Sequence, residues 1–187
     1  MKVESRESVY PIHKELLARI SYRTFGAEPL LEQERMALFE AARWAPSSYN
    51  NQSWRFVYVC RNDPEWKEFF EALVEFNKSW CARADTLAVL ISKDTFDHNE
   101  KPSRTAPFDT GAAWMSLAVE ASSRGLIAHA MEGFRRKYIS DYLRLPEGYT
   151  VQVMIAIGRR GDVSGEEVSQ RKPLSSVVCR GKWSFDE

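Results

Sequence analysis

Apolar residues recur along the chain at helical spacing in some stretches and at alternating spacing in others, and the change of period marks out the elements. Leu16, Leu17 and Ile20 share one side of the stretch from His13 to Ile20, which predicts a short first helix. A second helix is predicted from about Leu31 to Trp44, with Leu31, Met36, Leu38, Phe39 and Ala42 as its apolar content. Pro46 and the polar run Ser47 to Gln52 stop it, because proline disfavours the helical conformation in the residue before it. From Trp54 to Cys60 the period drops to two, with Trp54, Phe56, Tyr58 and Cys60 on one side, the pattern of a strand.

Asp63-Pro64-Glu65 reads as a helix start, a capping carboxylate followed by proline in the first turn and an acid near the positive end of the dipole. One helix is expected to follow, with Trp66, Phe69, Phe70, Leu73 and Val74 on its buried face. Thr86 to Ser92 is continuously apolar at its centre and predicts a buried strand. Lys93 to Pro107 is polar and without period, a loop longer than most connections. Asp109 to Arg124 predicts a helix rich in Ala, Ser and Gly, closed by Gly125; its small residues suit the centre of the molecule or of a dimer. Leu126 to Ala130 reads as a short strand, and Arg135 to Leu143 as a helix ended by Pro146. Thr150 to Ile157 sets Val151, Val153, Ile155 and Ile157 against Gln152, Met154 and Ala156, a strand ending at Gly158. Gly161 to Glu187 is mostly polar, with one apolar stretch from Ser176 to Cys179, and is expected to wrap another surface, such as a second subunit. Helices and strands mix without strict βαβ alternation, so the expected class is α+β, helices packed around one sheet.

At 187 residues, with 44% hydrophobic and 28% charged, the chain suits one globular domain spanning 1–187. Lys plus Arg and Asp plus Glu both number 26, which argues against a nucleic-acid partner, whose binding would need a basic surface. The apolar run Leu87 to Ile91 is far too short to cross a bilayer, so no membrane partner is expected. MKVESRESVY carries no apolar leader core, and Cys60, Cys81 and Cys179 lie far apart with no C-x-x-C pair. Reduced thiols in a cytoplasmic protein are the expectation, with neither a disulfide frame nor a zinc site.

The chain has no G-x-S-x-G, no Walker phosphate loop, no G-x-G-x-x-G and no H-E-x-x-H. His13, His98 and His129 are too scattered to suggest metal and read as structural residues. Three clusters remain. In Arg19-Ile20-Ser21-Tyr22-Arg23-Thr24-Phe25, alternation in an extended segment turns two cations and a hydroxyl the same way, toward one ligand or simply toward solvent. Ala45-Pro46-Ser47-Ser48-Tyr49-Asn50-Asn51-Gln52-Ser53-Trp54 is either a surface turn or a loop offering hydroxyls, amides and backbone N–H groups to a polar ring edge. Ala130-Met131-Glu132-Gly133-Phe134 has a glycine that permits close backbone approach to a flat ligand.

The run R-x-S-x-R-x-F, then A-P-S-S-x-N-x-Q-x-W, then E-G-F resembles the nitroreductase family in identity, order and approximate spacing. Asn77 in Phe76-Asn77-Lys78, the Arg159 region and Arg171-Lys172-Pro173-Leu174 add to the likeness, which runs from about Ile12 to Val178. The chain departs from the family pattern at Ser53, usually proline, and at Ser169, often lysine. The resemblance implies a central, mostly antiparallel sheet flanked by helices, with the C-terminal tail exchanged in a homodimer that binds FMN between its subunits. By the same resemblance Arg19 would meet the FMN phosphate with Arg171, while Ser21 and Arg23 would complete the first motif, Arg23 at the pyrimidine edge. Pro46, Ser47, Ser48 and Asn50 would reach the flavin from the partner subunit. Asn77 would bond the isoalloxazine ring, and the backbone N–H groups around Glu132 and Gly133 would meet its N5.

Hydride transfer is chemistry the cofactor performs, so the implied enzyme needs no acid, nucleophile or metal of its own. Its expected activity moves hydride from NADH or NADPH through FMN to a nitroaromatic, quinone or similar small acceptor by a ping-pong mechanism. The alternatives are flavin chemistry without nicotinamide (dehydrogenation, dehalogenation or flavin fragmentation) and a flavin-binding module without turnover. Lys93 to Pro107 stands where longer members carry extra helices over the flavin, and Trp80, Phe96 and His98 either line that opening or simply pack.

Overall fold

The computed structural model describes residues 6–183. The start of MKVESRESVY and the last four residues of the tail lie outside the described residues. Six helices and four strands follow one another as α1 (Lys14–Ala18), α2 (Glu32–Arg43), β1 (Trp54–Cys60), α3 (Trp66–Ala72), α4 (Glu75–Cys81), β2 (Thr86–Lys93), α5 (Ala106–Ser123), β3 (Leu126–Met131), α6 (Arg136–Tyr142) and β4 (Tyr149–Arg159) among the described residues. The strands form one antiparallel sheet in the order β1-β2-β4-β3, with helices on both faces, the α+β architecture expected. Among the described residues no helix is long and apolar enough to cross a membrane.

The continuous apolar run of β2 follows from burial on both faces. Leu87, Val89 and Ile91 enter one core with Phe69, Leu73, Ile127 and Ile139, while Ala88 and Leu90 enter another with Leu38, Ala113, Leu117 and Ile155. Each fully buried Leu or Ile of this kind contributes roughly 1.5–3 kcal/mol relative to exposure. α2 and α5 cover the second core, and α5 packs on α2 and the sheet through Ala113, Ala118 and Ala121, whose small side chains allow the close approach. Gly125 ends α5 at φ +68°, a conformation that costs glycine little.

Three elements depart from the apolar pattern. The single helix expected after Glu65 is two, α3 and α4, because Leu73 and Val74 turn extended and bridge to Phe134. Val74 N–H donates to Gly133 O at 3.1 Å and Arg135 N–H to Ala72 O at 2.7 Å, so two tertiary hydrogen bonds hold the break between the helices. Asp63 does not cap α3; its Oδ2 accepts from Cys60 N at 2.7 Å and closes the turn after β1. In β4 the alternation breaks at a bulge between Leu90 and Ile91, where Leu90 faces Val153 but Ile91 faces Val151. The extra residue moves Val151 to the core of Met154 and Ala156, opposite Val153, Ile155 and Ile157.

A buried ion pair joins α2 to the start of β2. Arg35 Nη2 lies 2.9 Å from Asp85 Oδ1, with both side chains under 10% exposed. Arg35 Nε donates to Thr86 Oγ1 at 2.8 Å, Thr86 Oγ1 donates to Asp85 Oδ1 at 2.7 Å, and Leu30 N–H donates to Asp85 Oδ2 at 3.0 Å. Asp85 thereby anchors the segment that leads from Arg19–Phe25 into α2.

Candidate functional site

The extended segment after α1 is held by the end of β4. Phe25 bridges Arg160, Gly26 N–H donates to Arg159 O at 2.9 Å, and Gly161 N–H donates to Thr24 O at 2.9 Å. Along this segment Tyr22 and Phe25 are buried in the core, while Arg19, Ser21 and Arg23 line a cleft of about 890 Å³; Ile20 and Thr24 line it too, so strict alternation does not hold. The outer wall of the cleft is the tail from Glu166 to Arg171, which turns back over the segment. Glu166 fixes it there, since its carboxylate accepts from Arg23 N–H at 3.0 Å and Thr24 N–H at 2.8 Å.

The cleft is rich in unbalanced positive charge. Arg19, Arg23 and Arg171 all line it, and none forms an ion pair among the described residues. Arg19 Nη1 reaches Ser21 Oγ at 3.2 Å, and Arg171 Nη1 reaches Ser169 Oγ at 3.3 Å. Burial and then the nearby Arg171 push the Arg19 pKa below its usual value, the mark of a cation that lacks an anion. The Arg23 guanidinium lies over the rings of Phe76 and Trp80, at 5.2 and 5.9 Å from their centroids. His129 closes this side: its ring lies 4.6 Å from Trp80, and its Nδ1–H donates to Tyr22 O at 3.0 Å. Burial lowers the His129 pKa, which favours the neutral imidazole.

α4, which carries Phe76 and Trp80, also carries Asn77. The Asn77 amide donates to Gly133 O at 2.9 Å. Glycine is required at 133 by this contact: a Cβ there would stand 2.7 Å from Asn77 Nδ2 and 2.9 Å from Val74 Cγ2. The Glu132 carboxylate is engaged by Arg136 at 3.0 Å, but the backbone N–H groups of Glu132 and Gly133 donate to nothing among the described residues. Glu132 is exposed and Gly133 half-buried, whereas Trp80 Nε1 is buried and without a partner among the described residues. A buried donor such as Trp80 Nε1 is costly to leave unpaired.

Pro46, Ser47, Ser48 and Asn50 do not line this cleft. They sit in the turn between α2 and β1, where Tyr49, Asn50 and Gln52 all have positive φ, at 54°, 53° and 49°. Backbone strain of this sort costs on the order of 1 kcal/mol per residue and persists only where surroundings enforce it. Here Ser47 Oγ accepts from Gln52 N–H at 3.0 Å and the buried Asp109 accepts from Ser48 N–H at 3.1 Å. Ser53 uses its hydroxyl to accept from the buried Asn51 amide at 3.0 Å. Phe96 and His98 gather around Tyr49, with centroids 5.6 and 5.5 Å from its ring, whereas Trp80 packs beside Phe25. The three aromatic residues therefore do not share one opening. Arg159, grouped with the phosphate segment by sequence, instead grips Glu34 through both terminal nitrogens at 2.8 and 2.6 Å. Arg6 was not singled out by any motif, yet it lines the cleft beside Arg19 and Arg171.

The sequence model of the nitroreductase family matches residues 16–79 and 62–159. The chain belongs to the nitroreductase family. The solved structure of an oxidoreductase containing FMN is 38% identical to this nitroreductase-family chain, covers 96% of both chains and superposes with a TM-score of 0.90. A Streptomyces coelicolor protein whose name proposes an NADH dehydrogenase or NAD(P)H nitroreductase is 26% identical, over 83% of this chain and 88% of its own. A Desulfovibrio desulfuricans structure, described as a proposed nitroreductase in complex with FMN, shares the fold at 20% identity, with a TM-score of 0.75 and coverage of 95% and 100%. The family match ends at residue 159, so Arg6 and the tail wall of the cleft lie beyond it.

Proposed function

We propose that this family member binds FMN in the arginine-lined cleft and passes electrons from NADH or NADPH to a small oxidised acceptor, such as a nitroaromatic or a quinone. The convergence of Arg19 and Arg171 without any carboxylate partner among the described residues carries the reading, because such a cluster calls for an anion of the phosphate kind. When bound, FMN supplies the hydride-accepting ring. Arg19 and Arg171 hold its phosphate, with Ser21 and Ser169 orienting their guanidinium groups. Arg23, set on Phe76 and Trp80, offers a cation to the pyrimidine edge. Asn77, with its amide N–H committed to Gly133, keeps its Oδ1 for a ring donor, and the unpaired N–H groups of Glu132 and Gly133 meet the ring nitrogen that exchanges hydride. The relatives whose descriptions mention FMN and NAD(P)H support the cofactor and the donor.

Purified protein is expected to carry about one FMN per chain and to oxidise NAD(P)H when a quinone is supplied. Arg19→Ala should weaken FMN binding by about 1.5–3 kcal/mol, the worth of one charged hydrogen bond. Fluorescence titration checks this, and an unchanged affinity would return Arg19 to the role of a surface charge.

The reading extends to a homodimer in which Pro46, Ser47, Ser48 and Asn50 reach the partner's flavin. Phe108, Gly111 and Met115 form an exposed stripe on α5, and a Cβ at Gly111 would meet nothing within 4 Å among the described residues. Beyond Lys172 the tail exposes Leu174, Val177 and Val178, apolar surface that a second subunit would cover. Gly111→Arg adds a side chain where the single chain has room and replaces glycine inside a helix, so it should leave the fold intact. It is expected to give a monomer in sedimentation with much weaker FMN retention, since dimerisation and flavin binding are linked. A monomer that keeps FMN would place the whole site within one chain, and a Gly111→Arg dimer would remove this stripe of α5 from the interface.

A further inference from the structure

We propose that Arg6 is a phosphate ligand of the cleft, a third cation brought to Arg19 and Arg171 by the segment that precedes α1. The proposal rests on the reading of the cleft as an FMN site and names a residue that lies outside the family match.

Three of the five guanidinium N–H groups of Arg6 are spent on fixing its position. Nη1 donates to Arg19 O at 2.7 Å, Nη2 to Ser169 Oγ at 2.9 Å and Nε to Ser169 O at 3.2 Å. Each terminal nitrogen therefore keeps one N–H that can be given to a phosphate oxygen. Ser169 Oγ also accepts from Arg171 at 3.3 Å, so one hydroxyl holds two guanidinium groups side by side. Like charges gathered in this way repel, and no carboxylate among the described residues pairs with Arg6 to offset it. Burial, then Arg171 and Arg19, push the Arg6 pKa below its usual value, as expected for a cation awaiting an anion. The Oγ contact also gives the serine at position 169 a role: its hydroxyl holds a cation that arrives from the other end of the chain.

The test compares two ligands that differ by the phosphate. FMN and riboflavin are titrated by fluorescence into the full chain, into Arg6→Ala and into Arg6→Gln, which keeps donors but not the charge. Both variants should bind FMN about tenfold or more weakly, the loss of one charged hydrogen bond, and riboflavin as the wild type does. Wild-type FMN affinity in Arg6→Gln, or an equal loss for FMN and riboflavin, would overturn the assignment and make Arg6 a strut between two segments. A wild-type chain that binds no FMN would sink the proposed function instead. Arg6 is then judged with inorganic phosphate: thermal stabilisation of the wild type that Arg6→Gln lacks supports it, and equal stabilisation overturns it.

Discussion

Arg35→Met is expected to destabilise the protein by about 3–5 kcal/mol, because it leaves the Asp85 carboxylate buried without its counter-charge. Chemical denaturation followed by circular dichroism reads this as a lower midpoint. Arg35→Met combined with Asp85→Leu should recover much of the loss, since removing both charges removes the uncompensated burial. The pH dependence separates this from a simple packing defect. Burial alone would raise the Asp85 pKa, but bonds from Thr86, Leu30 and Arg35 outweigh it and hold the folded value below the usual one. In the wild type that contribution is fully present above the unfolded pKa of about 3.9 and is lost as pH falls through the folded value beneath it. Without Arg35 the folded pKa of Asp85 should rise, so the penalty of the variant should shrink as the solution is acidified toward the unfolded pKa of about 3.9. A penalty independent of pH would mean that Arg35 acts through packing alone. The consequence reaches the site, because Asp85 also accepts the Leu30 N–H and so ties down the chain leaving Arg19–Phe25.

Gly133→Ala should strip the protein of flavin and lower its stability by about 1–3 kcal/mol, the usual cost of overfilling a packed site. The new methyl would stand 2.7 Å from Asn77 Nδ2 and 2.9 Å from Val74 Cγ2. Val74 is β-branched and stiff, so Asn77 must swing away and surrender its 2.9 Å bond to Gly133 O. That movement also disturbs the neighbouring unpaired N–H groups. Flavin absorbance of the purified variant and its melting temperature check both parts. A variant as yellow and as stable as the wild type would show that α4 can retreat from β3 without harm to the site.

Much of the fold was legible because its signals are local. β1, β2, α2 and α5 follow from periodicity, from Pro46 and from Gly125, whose effects act within one or two turns of the chain. The order of the clusters around Arg19, Ser47 and Gly133, read as a likeness, pointed to the family that the comparisons then showed. The same local reading merged α3 with α4 and set Val151 on the wrong face. A bridge from Leu73 to Phe134 and a bulge opposite Ile91 are made by residues distant in sequence, and no apolar period contains them.

Charge divided in the same way. Local alternation predicted one direction for Arg19, Ser21 and Arg23, and all three do line the cleft, but Ile20 and Thr24 line it as well and Phe25 turns into the core. The tertiary structure decided that Arg171 and Arg6 join Arg19, that Arg159 belongs to Glu34 instead, and that the loop carrying Ser47 and Asn50 lies off the cleft. It also decided why Gly133 is glycine, by packing Asn77 against it and not through any freedom of its own backbone. The physical reason is common to all of these. A side chain's direction follows from its own few bonds, but its partner is chosen where the chain returns, and that depends on how both cores fill and how the sheet is ordered.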